Sequence, residues 1–496
     1  MKIRLTFLVL AACSVFGLSY SQTSKTAPVI TNYSFKFKVT GLKDVDAYLG
    51  FHYGDKKFIK DTAHVNSNGE VEFTGKDTIA GGIYLFITPR KNYFEFVVNE
   101  TKIQMETDTL DFVGHMVVKK STENTIWYDY MRTIATKQIE MKPNLDIINK
   151  EGVDKESKEY KDAIVARDKM TESINKFRDD RIAKSPDMLV SKLFKAMKEV
   201  ELPKDTNNLR LANYFRAHFW DNIDLSDNRL IRTPVLESKI VYYFEKVAYQ
   251  IPDSIIVEVD KILAKTNGDK EMFKFLTHHL TYSYERSAIM CMDAVFVHMI
   301  DKYYRTGMTP WVDQKTMDKM LERADKLKPL LCNTVVNNIS LPDTGGVFHS
   351  LYDFKGDYTI LYFWDATCSH CKKSSPIMAD LYRDYLKPNG IEIFGVEGEL
   401  EDKEWKKYQA EQKLPWLNVS DNPEMNANPT KWIIELKKTD LNSLNFRHLF
   451  DLYSYPVVYI LDKDKKIVAK KLGVEQIQDF LEKYKKGKEM EKNKGK

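Results

Sequence analysis

Cysteine is scarce in this chain of 496 residues, which contains only 5 of them. Cys13 lies in an apolar N-terminal stretch, and Cys291, Cys332, Cys368 and Cys371 follow it. So few thiols in so long a chain do not make the disulfide framework of a small secreted scaffold. The domains must therefore be stabilised by their hydrophobic cores, which leaves one cysteine pair for chemistry.

The chain also lacks a large excess of charge and any long apolar segment after its N-terminus. Its formal net charge is +4, and part of that charge lies in the tail "KYKKGKEMEKNKGK", so a nucleic-acid partner is not expected. No later stretch reaches the run of about 20 apolar residues that a membrane span requires. With 43% hydrophobic and 12% aromatic residues, the chain has the composition of a globular protein.

The N-terminal sequence "MKIRLTFLVLAACSVFGLSYSQTSK" has the pattern of a secretory signal peptide. Basic residues precede an apolar run over 5–18, and small residues follow up to Ser21. This pattern predicts export and a signal peptide over residues 1–21. The alternative is a lipoprotein, because "LAAC" resembles a bacterial lipobox in which Cys13 would carry the lipid anchor.

Two domains without visible chemistry are predicted after the signal peptide. Residues 22–118 contain short β-rich runs such as "YSFKFKVT", whose apolar residues alternate, so an all-β sandwich is predicted. Residues 119–332 have apolar residues at helical spacing and predict an all-α domain. His278 and His279 in that region do not predict a metal site, because adjacent helical residues point about 100° apart.

Residues 333–487 predict a mixed α/β domain. The apolar run "TILYFW" is typical of a buried central strand, and "CSHCKKSSPIMADLYRDYL" follows it as a helix. A strand, a helix, a β-hairpin and a final helix come next, before a basic tail over 488–496 that is predicted to be disordered. Cys332, just before this domain, could pair with Cys291 or remain a thiol, and the sequence leaves both open.

The stretch "FWDATCSHCKKSSP" could hold a zinc ion, a structural disulfide or a redox-active dithiol. Zinc needs further ligands, and no second cysteine or histidine pair with ligand spacing follows in this domain. A disulfide between Cys368 and Cys371 would close a tiny loop and would add little stability. Redox chemistry fits better, because a strand leading into a helix puts Cys368 at the helix N-terminus, which favours a thiolate.

The residues that accompany this dithiol in the sequence resemble the active-site segment of the thioredoxin family. Trp364 stands where that family has a tryptophan, Pro376 where it has a helix-kinking proline, and "SYPVVYILDKDKK" offers Pro456 as its cis-proline. The stretch "LPDTGGVFHSLYDFKGDYTILYFWDATC" is similar to the entry of secreted TlpA/ResA-type members, which carry an extra β-hairpin and an insert before the cis-proline strand. The whole chain also resembles exported bacterial proteins with a β-sandwich and a helical domain before this unit.

The resemblance implies a thiol–disulfide oxidoreductase of the periplasm or cell envelope of a Gram-negative bacterium. Cys368 would be the nucleophile and Cys371 the resolving thiol, and the two would form a disulfide when oxidised. The substrate groove would be lined by Trp364, Ser369, His370, Tyr455 and Pro456. Partners would be proteins with thiols or disulfides and an upstream electron donor or acceptor, without a cofactor or metal.

Two features depart from the thioredoxin pattern. The buried acid of ordinary thioredoxins is replaced by Tyr362, so we expect Glu399, with Glu397 close by, to handle the proton of Cys371. The dipeptide between the cysteines is Ser369-His370, and a histidine there is also seen in strongly oxidising relatives. This predicts a couple less reducing than thioredoxin itself.

Two other functions are compatible with the same residues. The chain could be a binding or scaffold protein of the cell envelope, in which the first two domains carry the function and the dithiol is a vestige or a redox switch. It could also reduce peroxide, but a peroxiredoxin-like site uses a peroxidatic cysteine without a neighbouring CxxC partner, which is the opposite of the arrangement here.

Overall fold

The computed structural model of the chain describes residues 30–203, 207–399 and 402–494. The predicted signal peptide over 1–21 and the candidate lipidation site Cys13 lie outside these residues. Within the described ranges, no helix combines the length and the apolar character that a bilayer crossing requires.

The chain divides into two compact units. The first ends at residue 247 and also includes 264–273, and the second comprises 248–263 together with the chain from 274 onward. The helical region predicted over 119–332 is therefore shared between the two units. Its last part belongs to the same compact unit as the predicted α/β domain.

The first unit begins with β-structure. Its strands are β1 (Tyr33–Thr40), β2 (Val45–Tyr53), β3 (Lys56–Val65), β4 (Glu70–Gly75), β5 (Gly82–Ile87), β6 (Tyr93–Val98), β7 (Lys102–Asp108) and β8 (Val117–Lys120). They form two sheets, with the orders β4-β1-β7-β8 and β3-β2-β5-β6. The alternating apolar residues of β1 are buried, and the Phe37 ring lies 5.0 Å from that of Phe96 in the other sheet. The predicted N-terminal all-β region is confirmed.

The predicted helical region is also confirmed. Its α-helices are α1 (Thr122–Ile148), α2 (Lys158–Lys184), α3 (Leu189–Ala196), α4 (Asn208–His218), α5 (Pro234–Tyr242), α6 (Pro252–Ala264), α7 (Lys270–Glu285), α8 (Asp293–Met299) and α9 (Gln314–Leu327). The buried carboxylate of Glu123 accepts hydrogen bonds from the backbone N–H groups of Leu189 and Val190 at 2.9 and 2.8 Å. A negative charge at these otherwise unsatisfied donors stabilises the start of α3.

The second unit contains a mixed sheet with helices. Its further elements are β9 (Ser340–Pro342), β10 (Phe348–Ser350), β11 (Tyr358–Trp364), α10 (Ser369–Leu381), β12 (Glu392–Glu397), α11 (Asp402–Gln412), β13 (Leu417–Val419), α12 (Pro423–Ala427), α13 (Leu441–Leu444), α14 (Phe446–Leu449), β14 (Val457–Asp462), β15 (Ile467–Lys470) and α15 (Ile477–Lys494). The sheet order is β13-β12-β11-β14-β15, while β9 and β10 form the expected extra hairpin. This is the predicted thioredoxin-like α/β fold.

Strand β11 lies in the middle of this sheet and is buried on both faces. Tyr362 and Trp364 belong to the hydrophobic core that also contains Cys371, whereas Leu361 and Phe363 belong to the core of the opposite face. Because successive strand residues point to opposite faces, one apolar run supplies both cores. The strand thus brings the cysteine motif to the carboxyl end of a central strand.

Cys291 and Cys332 form a disulfide, which answers the question that the sequence left open. The bond closes a loop between residues that are 41 positions apart. Immediately after Cys332, the N–H of Asn333 donates to the Ile467 carbonyl at 2.8 Å, so this segment runs along β15. The disulfide therefore ties α8 and α9 to the edge of the α/β sheet.

The C-terminal tail differs from its prediction. Helix α15 continues to Lys494, so the part of the predicted disordered tail up to that residue is helical. The segment is rich in lysine and glutamate, which are good helix formers, and Lys483 pairs with Asp479 one turn away at 2.8 Å.

Candidate active site

The two cysteines of the CxxC motif have different environments at the start of α10. Cys368 is the N-cap residue, and its carbonyl accepts a hydrogen bond from the N–H of Lys372 at 3.0 Å. Its thiol is partly exposed, whereas Cys371, in the first turn, is 1% exposed and belongs to the core beneath β11. Both are free thiols in the structure. Of these two cysteines, Cys368 is the one accessible to a sulfur atom of another molecule.

The segment before β14 reaches the same end of the sheet. The peptide bond between Tyr455 and Pro456 is cis, as the resemblance implies. Because β14 pairs with β11 and places Val457 opposite Phe363, the residues before β14 lie next to those after β11. The Cys368 thiol donates a hydrogen bond to the Tyr455 carbonyl, with 3.5 Å between sulfur and oxygen. The predicted nucleophile and the predicted cis-proline segment are therefore in direct contact.

Cys371 is held in the thiol form by its surroundings. Burial raises the pKa of the Cys371 thiol, and the adjacent Cys368 acts in the same direction, while a backbone hydrogen bond from Asp365 acts against them. A buried thiol with a raised pKa is a poor nucleophile until its proton is removed. Cys371 therefore needs a proton acceptor close to it.

Tyr362 does not provide that acceptor. Its hydroxyl lies 3.1 Å from the Ser374 hydroxyl, and burial raises the pKa of Tyr362 to about 12. The phenol thus keeps its proton at neutral pH.

The two glutamates that the sequence suggests as proton acceptors differ in burial. Glu399 is exposed to solvent, whereas Glu397, the last residue of β12, is 1% exposed. The Glu397 carboxylate accepts from the N–H of Ala366 at 3.4 Å and from the N–H of Glu399 at 3.0 Å. Burial raises the pKa of Glu397 to about 8, and the negative charge of Asp365 adds to this increase. Glu397 is therefore the buried acid next to the segment that precedes the cysteine motif, and Glu399 lies exposed two residues further along.

One feature of the sequence distinguishes Glu397 from Glu399. In "IEIFGVEGE" the apolar run leads directly into Glu397, while Glu399 comes after Gly398. A carboxyl group at the end of a buried strand next to the CxxC strand is brought to the carboxyl edge of the sheet, where α/β folds form their sites. The residue beyond the glycine is already in the loop.

Trp364 occupies a different place from the one predicted. Its side chain is fully buried, and its Nε1–H donates to the Asn418 Oδ1 at 2.9 Å, so the ring does not line a substrate groove. A large ring at the end of a strand with both faces covered packs into the core. Ser369 and His370 are both exposed in the first turn of α10, next to Cys368.

Three family models match successive parts of the chain. Residues 33–127 match a domain of unknown function, DUF4369, and residues 155–327 match another, DUF5106. Residues 333–470 match the AhpC/TSA family. The region with the cysteine motif is thus the part with a described family.

Individual relatives also match parts of the chain. The thiol-disulfide oxidoreductase ResA of Bacillus subtilis is 42% identical over 59 residues, which is 12% of this chain and 32% of that protein. A domain of a possible thiol-disulfide isomerase from Cytophaga hutchinsonii is 35% identical, with 33% of this chain and 98% of that chain covered and a TM-score of 0.27. A thioredoxin-like protein from Bacteroides caccae is 20% identical, with 57% and 98% covered and a TM-score of 0.42. The match to ResA spans about a third of that relative's length.

Proposed function

We propose that this chain, whose residues 333–470 match the AhpC/TSA family, is an exported thiol–disulfide oxidoreductase with a thioredoxin-like domain. Its substrates would be disulfides and thiols of other proteins, and an upstream electron donor or acceptor would regenerate it. The observation that carries the proposal is the accessible Cys368 thiol against the Tyr455 carbonyl and the cis Pro456, with Cys371 buried one turn further on.

The proposed reaction has two exchange steps. The Cys368 thiolate attacks a client disulfide, whose S–S bond breaks as the Cys368–client disulfide forms and one client thiolate leaves and takes up a proton. Cys371 then loses its proton and attacks the Cys368 sulfur, which releases the second client thiolate and forms the Cys368–Cys371 disulfide. Two electrons pass from the dithiol to the client. In the reverse direction the same steps oxidise client thiols.

Glu397 is the proposed acceptor for the Cys371 proton. Its carboxylate accepts a hydrogen bond from the N–H of Ala366, and the backbone of the adjacent Asp365 acts to lower the pKa of the Cys371 thiol. The two groups therefore interact with neighbouring residues of one short segment. A general base is most effective when its pKa is close to the working pH, and the pKa of Glu397 is about 8.

Replacing Glu397 by glutamine should change the pH dependence of disulfide reduction. In the wild type the carboxyl loses its proton as the pH rises through about 8, so the rate should rise across that value. Glu397→Gln has no carboxylate at any pH and should lose this rise, with a rate at pH 9 lower by roughly 10²-fold. The measurement is the rate of insulin reduction by the full chain from pH 6 to pH 9.5.

Glu399→Gln is the matched control, because it removes a carboxylate two residues away that is exposed. Its pH profile should follow the wild type. If Glu399→Gln loses the rise and Glu397→Gln keeps it, the exposed glutamate is the acceptor and the assignment to Glu397 is wrong.

Export is supported by two independent features. The sequence begins with the pattern of a signal peptide, and Cys291 and Cys332 form a disulfide, a bond that persists in oxidising compartments and is rare in the cytosol. We therefore place the proposed activity in the periplasm or cell envelope.

The test of the proposed function is a trapping experiment with the full chain. Cys371→Ser cannot complete the second exchange, so it should accumulate client proteins attached to Cys368 through disulfides, visible as bands that disappear on reduction. The control is Cys368→Ser/Cys371→Ser, which should form none of these adducts. If Cys371→Ser forms no adduct that depends on Cys368, the proposal fails and a scaffold role of the first two domains becomes the better explanation.

A further inference from the structure

Arg447 makes a well-defined ion pair at the carboxyl edge of the α/β sheet. It lies in α14, within the segment between β13 and β14, and its Nη1 and Nη2 donate to the two oxygens of Asp421 at 2.8 and 2.7 Å. The Asp421 side chain is fully buried, and that of Arg447 is 28% exposed. A two-bond pair of this kind fixes the orientation of the guanidinium plane as well as its position.

A third donor of this guanidinium points at the loop after β12. The Nε–H of Arg447 donates to the Gly398 carbonyl, and the same carbonyl accepts from the Tyr455 hydroxyl at 3.3 Å. The N–H of Gly398 donates to the Trp364 carbonyl at 2.7 Å. A Cβ at position 398 would lie 2.2 Å from the Tyr455 ring, so the ring packs directly on the glycine. The position of Gly398 is therefore fixed by contacts with Arg447, Tyr455 and Trp364.

These contacts form a continuous path to the nucleophile. Arg447 holds Gly398, Gly398 holds the side chain of Tyr455, and the Tyr455 carbonyl accepts the hydrogen bond of the Cys368 thiol. The ion pair with Asp421 anchors the path to the loop after β13. Every link is a direct contact in the second compact unit.

We propose that Arg447 is a positioning residue for thiol–disulfide exchange, which fixes the Tyr455 side of the groove against Cys368. The inference rests on the proposed function, because it names a residue that prepares the same site. Arg447 does not touch the cysteines and acts through Gly398 and Tyr455. Its positive charge has a second effect on the site, because it acts on the ionisation of Glu397.

The charged and titratable groups around Glu397 define that second effect. Asp365 faces it from the end of β11, Arg447 from α14 and Tyr455 from the segment before β14. Asp365 favours the protonated carboxyl, whereas Arg447 favours the carboxylate. Loss of Arg447 should therefore move the pH midpoint of the reaction upward.

The test compares Arg447→Gln and Arg447→Lys in the full chain, with insulin as the disulfide substrate. Arg447→Gln should lower kcat/KM roughly 10- to 100-fold, because the groove loses its fixed geometry, and should raise the pH midpoint of the rate. Arg447→Lys keeps the charge but not the fork of donors, so it should lower kcat/KM and leave the midpoint close to the wild type. An unchanged midpoint together with a kcat/KM within twofold for Arg447→Gln would overturn the inference.

Two further variants separate positioning from stability. Arg447→Gln leaves a buried carboxylate without its partner, so Asp421→Asn/Arg447→Gln removes both charges and should show the same loss of kcat/KM in a folded protein. Arg323→Gln is the control, because Arg323 forms an ion pair with the buried Asp451 in the same unit. It should lower stability and leave kcat/KM and the pH midpoint unchanged. A loss of kcat/KM in Arg323→Gln equal to that in Arg447→Gln would reduce Arg447 to a structural role.

The rate at which Cys368 is alkylated tests the role of Arg447 independently of the proposed function. If the wild type does not reduce insulin, the proposed function is contradicted, but the contact path can still be tested with iodoacetamide. The reagent should modify the partly exposed Cys368 faster in Arg447→Gln than in the wild type, because a released Tyr455 uncovers the thiol. Equal alkylation rates in the two proteins would overturn the inference by themselves.

Discussion

Replacing Cys368 by serine is expected to abolish disulfide reduction, with a loss of rate of at least roughly 10³-fold. The chemistry requires a thiolate, and the serine hydroxyl stays protonated and is a weak nucleophile toward sulfur. No other cysteine of the described chain can replace it, because Cys371 is 1% exposed and Cys291 and Cys332 are joined in a disulfide. The measurement is insulin reduction by the full chain with an added small-molecule reductant.

Asp380→Asn is the control for this loss. Asp380 is exposed further along α10 and pairs with the exposed Arg383, so its loss should matter little and the rate should stay within about threefold of the wild type. If Cys368→Ser keeps more than about a tenth of the wild-type rate, the reaction does not pass through this cysteine. The second cysteine pair would then have to be examined as the reactive one.

The second large effect is expected on stability, from Cys291→Ser/Cys332→Ser. The disulfide closes a loop of 41 positions, and the chain-entropy relation gives about 4 kcal/mol for a loop of this length. The urea midpoint of the second compact unit should therefore fall by about 1 M or more. Both cysteines are replaced together, so that no new thiol can exchange with Cys368 or Cys371.

Contacts around the disulfide give this effect a structural basis. Met290, the residue before Cys291, packs on the core that contains Cys371, and its sulfur accepts from the N–H of Lys470 at 3.4 Å. The buried Lys470 ammonium donates to Asp293 and, at 2.6 Å, to the Leu330 carbonyl. Residues on both sides of the disulfide thus hold the last strand of the sheet, and its loss should loosen them together.

The control for stability is Cys368→Ser/Cys371→Ser. Cys368 and Cys371 are both thiols in this structure and close no loop. Replacing them should therefore leave the urea midpoint close to that of the wild type. The wild type treated with a strong reductant should behave like Cys291→Ser/Cys332→Ser. A midpoint within about 0.3 M of the wild type in that double variant would show that the long disulfide does not stabilise the unit.

The redox region is not a separate unit in this fold. The segment from 274 to 332 belongs to the same compact unit as the α/β domain. The disulfide between Cys291 and Cys332 lies within this segment. A fragment that begins at 333 lacks the disulfide and the contacts of Met290 and Asp293 with Lys470. The experiments above therefore use the full chain.

Much of the architecture could be predicted because its signals are local. The alternation in "YSFKFKVT" needs only the two-residue period of a strand, and the unbroken run "TILYFW" needs only a strand covered on both faces. The CxxC spacing and the start of a helix place Cys368 and Cys371 one turn apart without any knowledge of the rest of the chain. Composition and periodicity within short windows were sufficient for these features.

The features that the sequence does not predict concern burial and partners far along the chain. Spacing alone cannot tell which of the two nearby acids, Glu397 or Glu399, the fold buries. Trp364 was expected in a groove because its position in the motif does not reveal that Asn418 binds its ring nitrogen. Arg447 carries no motif, and its position depends on Asp421 and Gly398, which are 26 and 49 residues away in the sequence.

The sequence by itself determined the class of each region, the dithiol at a helix start, and Pro456 as the candidate cis-proline. Only the tertiary structure decided that Cys291 pairs with Cys332, that Glu397 is the buried acid, and that the Cys368 thiol meets the Tyr455 carbonyl, 87 residues away. The physical reason is that periodicity and spacing act within a few residues of the chain. Burial, pKa and hydrogen-bond partners depend on which distant segments the sheet brings to its carboxyl edge.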